Sequence, residues 1–324
     1  MTLTIRAFDA RDYEALTALG TALDPGYAFT STMLRHRDAT MEPRVRYVRL
    51  TAEVDQHVVG FGRIMHIWWN FHPHRYQLRV EVDPAWQRQG IGSALFERLL
   101  ADLRTWDPEL VRAESRAANS AAVSFLDHRG FQEWRRRWES VLQVTTANVA
   151  PLAAGAARAE AAGVRITTYD VEATHRPSLP HDLYEVEMAI SRDEPAMEPG
   201  AETMSFERFR AIELDTPDSV AEGHFLALDG DRIVGVSRLM RDLRHPHVLR
   251  QAFTGVHPEY RGHGIAQALK LRTIEFARAG GYREIRTSND STNGPMLHIN
   301  EVMGFQRETP IIIFERRFAG RPDA

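Results

Sequence analysis

Two stretches of this chain align without a gap. Val82-Asp83-Pro84-Ala85-Trp86-Gln87-Arg88-Gln89-Gly90-Ile91-Gly92-Ser93-Ala94-Leu95 and Val256-His257-Pro258-Glu259-Tyr260-Arg261-Gly262-His263-Gly264-Ile265-Ala266-Gln267-Ala268-Leu269 stand 174 positions apart from end to end. The same offset of 174 pairs Asn119 with Asn293, Gly130 with Gly304 and Phe131 with Phe305. Upstream, Val59-Gly60 matches Val234-Gly235 at 175, and Ile5-Arg6-Ala7-Phe8-Asp9 resembles Ile166-Thr167-Thr168-Tyr169-Asp170. A register kept over this distance identifies an internal duplication. The 324 residues suffice for two domains of ordinary size, each burying its own core.

The repeated stretch reads as strand, turn and helix. Gln77 to Val82 alternates, and Pro84 ends the strand because proline has no N–H to give to a ladder. Ile91, Ala94, Leu95, Leu99 and Leu103 then fall on one helical face. Gly90 and Gly92 let backbone approach a ligand, so successive amide N–H groups can converge on an anion at the positive end of the helix. Gln87, Arg88, Gln89 and Ser93 add polar or cationic groups around Ile91. Arg261, Gly262, His263, Gly264, Ile265 and Ala266 repeat the arrangement. Two glycines before a helix are also the signature of a plain tight turn, and it is the recurrence in order that argues for a site. A pyrophosphate is the guest such a cradle suits.

Strand, Val-x-Pro, Gln/Arg-x-x-Gly-x-Gly/Ala, helix, strand, Asn, helix and a closing Gly-Phe together resemble the core of the GNAT N-acetyltransferase superfamily. The core runs from Val58 to Phe131 and again from Ile233 to Phe305, as in tandem, mycothiol synthase-like members. The resemblance implies an α/β fold (an α+β mixed sheet) in two tandem GNAT acyl-CoA N-acyltransferase domains. It implies acetyl-CoA (coenzyme A) as cosubstrate and a small-molecule or peptide amine as acceptor. The carrier would be held by Val82, Gln87 to Ser93 and Asn119 in one copy, and by Val256, Arg261 to Ala266 and Asn293 in the other. Both turns keep their glycines and neither has gained an acidic blocker, so both are expected to bind.

The chemistry asks for more. An amine with a pKa of about 10.4 arrives mostly protonated, so a general base gains about 10²-fold to 10⁴-fold. In the ribosomal-protein alanine acetyltransferases of this family a glutamate five residues before the asparagine does this work. Glu114 stands there, and the second copy has Ser288; Glu81 is the weaker alternative. Where the family carries an acidic tyrosine, seven residues after the asparagine, this chain has Leu126 and Asn300. A thiol of pKa about 8.5 leaves as thiolate with little help. Leu126 cannot donate at all, whereas Asn300 could hydrogen-bond the sulfur. Asn300 favours the second copy and Glu114 the first, which leaves the choice open.

Composition narrows the remaining classes. Apolar residues at 43% and charged residues at 26% describe a globular protein. A formal net charge of −4 supplies no field to recruit nucleic acid or an acidic membrane, and it weighs against an aminoacyl-transferring relative that uses a charged RNA. Without cysteines there is no disulfide, thiolate metal site or acetyl-cysteine. The start lacks a leader pattern and no apolar run approaches membrane length, so a cytoplasmic monomer or homodimer is the expectation. Residues 1–146 and 164–324 are expected as the two domains, and the alanine-rich 147–163 as a partly helical linker. A closing hairpin is expected from Phe131 to Val144.

Three further features admit two readings each. Trp68-Trp69-Asn70-Phe71-His72 either packs internally or lines an acceptor pocket. Asp193, Glu194, Glu198, Glu202, Glu207, Glu213, Asp215 and Asp218 form either a solvated face or a groove for a cationic amine. His72 and His74, like His245 and His247, flank a proline in a loop and show no further ligands for a metal. An acyl-CoA-binding sensor or scaffold that does not turn its ligand over is the alternative function, supported by the two missing tyrosines.

Overall fold

A computed structural model describes residues 2–24, 26, 29–193 and 200–318. In chain order the elements are β1 (Leu3–Ala7), α1 (Tyr13–Leu23), α2 (Ser31–Ala39), β2 (Tyr47–Val54), β3 (His57–His66), β4 (Arg75–Val82), α3 (Ile91–Arg104), β5 (Leu110–Arg116), α4 (Ser120–Asp127) and β6 (Gln132–Gln143). They continue with α5 (Ala150–Ala161), β7 (Arg165–Thr168), α6 (Tyr169–Ala173), α7 (Leu179–Ser191), α8 (Phe206–Phe209), β8 (Ser219–Asp229), β9 (Arg232–Arg241), β10 (Val248–Val256), α9 (Ile265–Ala279), β11 (Glu284–Asp290), α10 (Gly294–Met303), β12 (Gln306–Arg307) and β13 (Ile311–Arg317). A single π-turn, Arg210–Leu214, follows α8. No helix among the described residues is long and apolar enough to cross a membrane.

The chain forms two compact units, and they do not follow the linear division at 147–163. One comprises residues 1–135, 200–204 and 312–324; the other comprises 136–199 and 205–311. In the first unit the strand order is β1-β2-β3-β4-β5-β13, so the end of the chain closes the sheet beside β5. In the second it is β6-β11-β10-β9-β8-β7, with β6 antiparallel to β11 from Glu284↔Gln143 to Asp290↔Arg137. The expected hairpin from Phe131 to Val144 is therefore one long strand. Alternation of Trp134, Trp138 and Val141 marks a strand but carries no information about its partner.

Within the first unit, α3 covers one face of the sheet and α1 the other. Leu95, Leu99 and Leu103 are fully buried, each contributing about 1.5–3 kcal/mol. Gly60 and Gly62 let this helix lie close: a Cβ on Gly62 would meet Leu99 Cδ1 at 2.9 Å. Phe61 points the other way and packs with Leu16, Leu19 and Leu34. The second unit repeats the device, a Cβ on Gly235 meeting Ile265 at 2.9 Å and Leu269 at 3.2 Å. Period-two alternation about one glycine position thus sets which face each neighbour occupies.

The alanine-rich linker is a helix with a buried side. Leu152, Gly155 and Ala159 of α5 are its buried residues, and they pack onto α9 inside the second unit. It is part of that unit's core.

Candidate active site

In the first unit β4 and β5 run parallel through Arg75↔Leu110, Tyr76↔Val111 and Gln77↔Arg112. The pairing stops there. Leu78 to Val82 continue with β3 as their partner, up to Gly60↔Val82, which leaves a split between β4 and β5 with unpaired backbone along it. Alternation puts Glu81, Arg79, Arg63 and Phe61 on the α1 face, since Phe61 pairs with Glu81 and Arg63 with Arg79. Val111 and Ala113 belong to the α3 core, so Arg112, Glu114 and Arg116 share that α1 face; Arg116 donates to Asp24 at the end of α1, 2.7 Å. Glu81 and Glu114 consequently flank the split from one side.

Their settings differ. The Glu81 carboxylate accepts from Arg79, 2.7 Å from Nε, and its side chain is 12% exposed. Glu114 is exposed near the end of β5. A cleft beside Glu81 is lined by Leu16, Leu34, Phe61, Arg49, Arg63 and Arg79, with Arg49 held by Asp38 at 3.0 Å. Leu126 lies in the core and can donate no proton.

At the head of the split the chain breaks as the sequence predicts. Asp83 accepts from the Ala85 amide at 2.8 Å, and Pro84–Trp86 makes one 3₁₀ turn. Gln87 donates to the Val82 carbonyl at 3.0 Å. Arg88 (φ 64°) and Gly90 (φ 83°) take left-handed conformations, and α3 starts at Ile91 with no side-chain cap. The first amides of α3 therefore have no capping partner. Gly90 is exposed, and among the described residues a Cβ there would meet nothing within 4 Å.

The second turn has the same backbone in different surroundings. Gly262 (φ 84°) and Gly264 (φ 82°) precede α9, and β10 and β11 part after Arg250↔Arg286. Gly264, however, is buried: a Cβ on it would stand 2.1 Å from the Gly155 carbonyl oxygen and 2.8 Å from its carbon. Helix α5 thus lays backbone across the turn. Asp193 pairs with Arg261 at 2.9 Å, so the turn's cation already has a carboxylate. On the other face Gly255 stands where the first copy has Glu81, and the Ile190 Cγ2 lies 2.4 Å from where its Cβ would be. The two turns thus share a backbone and differ in what packs against them. Neither α5 nor α7 belongs to the repeated motif, so the alignment could not show them.

Strand β10 also carries an irregularity that β4 lacks, its register with β9 shifting between Gln251 and Phe253. The Gln251 amide fills it, donating to the Arg238 and Phe253 carbonyls, both at 2.8 Å, and accepting from the fully buried Lys270 at 3.1 Å. Desolvation, with no carboxylate to offset it, pulls the lysine pKa down from 10.5 to about 7. Asn300 is buried and gives its amide to Asn289 Oδ1 at 2.7 Å. Asn119 and Asn293 are the N-caps of α4 and α10, accepting from Ala122 N at 3.0 Å and Met296 N at 3.3 Å.

Phe71 is buried, and it exchanges backbone hydrogen bonds with Glu202 at 2.9 and 2.8 Å; Trp68 meets Trp69 edge-on. Part of the acidic run is paired with arginines: Glu213 with Arg238 at 2.6 Å and Asp215 with Arg210 at 2.8 Å, besides Asp193 with Arg261. Glu194 and Glu198 lie outside the described residues. Among the described residues no group of three or more His, Cys, Asp or Glu could hold a metal ion.

A parallel strand pair that parts beside an open glycine turn at a helix start leaves uncapped helix amides for an anionic group and strand-edge backbone beside them for a developing oxyanion, the two provisions that acyl transfer from an anionic carrier requires. The family pattern described as acetyltransferase (GNAT) family matches residues 14–131 and 182–305. The chain belongs to that family, in a tandem form, and is an N-acetyltransferase. It is similar to the mycothiol acetyltransferase of Pseudarthrobacter chlorophenolicus, 27% identical over 71% of this chain and 67% of that one. A shorter match, 41% identical over 17% of this chain and 36% of the other, is to the [ribosomal protein bS18]-alanine N-acetyltransferase of Escherichia coli K12. Among solved structures, a tandem GNAT protein from the clavulanic acid biosynthesis pathway has the same fold, with a TM-score of 0.75 at 18% identity over 99% of this chain and 100% of that one.

Proposed function

We propose that acetyl transfer takes place in the first unit alone, with acetyl-CoA held by the turn from Gln87 to Ser93 and the second turn closed by the chain's own helices. The observation that carries this is the contrast at one repeated glycine: among the described residues Gly90 has nothing within 4 Å of its Cβ position, and Gly264 has the Gly155 backbone at 2.1 Å. A backbone carbonyl oxygen packed against the turn narrows it and repels an anion. The first turn fits the group in chemistry as well as space, with uncapped amides, two left-handed residues and Arg88 at its rim.

The bound thioester supplies an activated acetyl group. The chain's part is to orient it along the unpaired edge of β4, with the Val82 backbone beside the carbonyl oxygen as charge develops there. An amine of a small molecule or peptide enters from the α1 face, on which Glu81 and Glu114 both stand. Glu114 takes the amine proton, being exposed and on that same face. Glu81, tied to Arg79, orients the acceptor. The thiolate leaves without a protein acid, which suits the burial of Leu126.

A panel of primary amines assayed for released thiol tests the assignment. Glu114→Gln is expected to lower kcat by about 10²-fold or more, and Glu81→Gln to raise the acceptor KM with a smaller effect on kcat. Unchanged kcat in Glu114→Gln would overturn its role as base.

A further inference from the structure

Helix α4 ends at Asp127, and nothing in the repeated motif singles out the residue two places later. Arg129 nevertheless makes contact with the first turn. Its guanidinium lies over the Phe125 ring at 3.5 Å, donates to the Phe125 carbonyl at 3.0 Å, and donates to the Ser93 hydroxyl at 2.7 Å. Ser93 is the third residue of α3, so this hydroxyl stands among the uncapped amides.

Two of the guanidinium's five donors are used in this way. The Nε is buried without a hydrogen-bond partner, and Arg129 forms no ion pair among the described residues. Burial lowers its pKa, with Glu97 only partly opposing the effect. A part-buried cation without a counter-ion is costly to a fold. An anion arriving at the turn would supply what is missing.

The duplication offers an internal comparison. Position 129 corresponds to Met303, and position 93 to Gln267, by the offset of 174. Met303 is buried in the second core, and Gln267 lies under Gly155. The cation is thus present where the turn is open and replaced by an apolar side chain where the turn is covered.

We propose that Arg129 is an anion-binding residue of the first turn: its guanidinium, together with the Ser93 hydroxyl that it fixes, binds one phosphate group of the acyl carrier. The inference rests on the reading that this turn holds the carrier. Phosphate oxygens of the pyrophosphate and of the 3′-phosphate share the chemistry, since both accept charge-assisted hydrogen bonds from a guanidinium.

Calorimetric titration of the full chain with coenzyme A and with 3′-dephospho-coenzyme A tests it, comparing Arg129→Met, the residue of the other copy, with Arg129→Lys. Arg129→Met is expected to weaken coenzyme A binding by about tenfold to a hundredfold and to flatten its salt dependence, while Arg129→Lys recovers most of the loss. Weakening of both ligands assigns the pyrophosphate; weakening of coenzyme A alone assigns the 3′-phosphate. Binding of both ligands at wild-type strength by Arg129→Met overturns the proposal. Failure of Arg129→Lys to recover binding, with a fall in melting temperature in both variants, overturns it in favour of a packing role. If the wild-type chain itself binds neither ligand, the parent reading falls and this one with it.

Discussion

Lys270 shows how a single side chain sets the pH response of its unit. It is fully buried, with the Gln251 carbonyl oxygen 3.1 Å away, and its pKa lies at about 7 against 10.5 for an ordinary lysine. Between those two values the unfolded chain holds a proton that the folded chain does not. Stability therefore rises as pH goes from about 7 toward 10.5 and is level below that window. Lys270→Met is expected to raise the melting temperature at pH 7 and to abolish the rise, as scanning calorimetry at several pH values would show. A slope unchanged in the variant would place the titration elsewhere. The opposite outcome is expected at Arg238, buried and bonded to Glu187 and Glu213 at 2.6 Å each. Removing it strands two carboxylates, so Arg238→Met should cost about 3–5 kcal/mol in urea unfolding.

Element by element, what could be read in advance was what repeats. Strand, turn and helix were legible because Pro84, Gly90 and the Ile91 to Leu103 stripe each dictate local geometry. Glu114 could be singled out from its place five residues before Asn119. What could not be read was anything set by packing between distant segments, and α5 is the clearest instance. Alanines and a glycine at 155 suggest a partly helical linker and not a packed one, yet the missing side chain is what lets that helix rest on α9: a Cβ there would stand 2.5 Å from Gln267 Cβ. Gly155→Val should therefore destabilise the protein by about 1–3 kcal/mol, measured by denaturant unfolding. Unaltered stability would show that the two helices are less closely packed than this. Arg129 escaped the sequence reading for the same reason, since its partner Ser93 is 36 residues away.

On the scale of the whole chain, the duplication is evident in sequence but the compact units are not its two linear halves. Unit one takes its closing strand from residues 312–317, and unit two takes β6 from the first half. Hydrophobic alternation specifies a strand and is indifferent to which sheet receives it, so the boundary at 147–163 was a fair inference from composition alone. A fragment 1–146 would leave the edge of β5 bare, with buried Leu110, Val111 and Ala113 beside it, an invitation to aggregation. Expressed alone, 1–146 and 147–324 should each be insoluble, and co-expressed they should reassemble as a soluble pair. A soluble, cooperatively unfolding 1–146 would refute the exchange.

One titration bears on the central claim more directly than any of these: the number of coenzyme A molecules bound per chain, in the wild type and in Gly90→Asp, whose side chain tolerates a left-handed backbone and puts a carboxylate into the first turn. One molecule per wild-type chain and none in the variant is expected. Two molecules per chain, or one retained in Gly90→Asp, would contradict it.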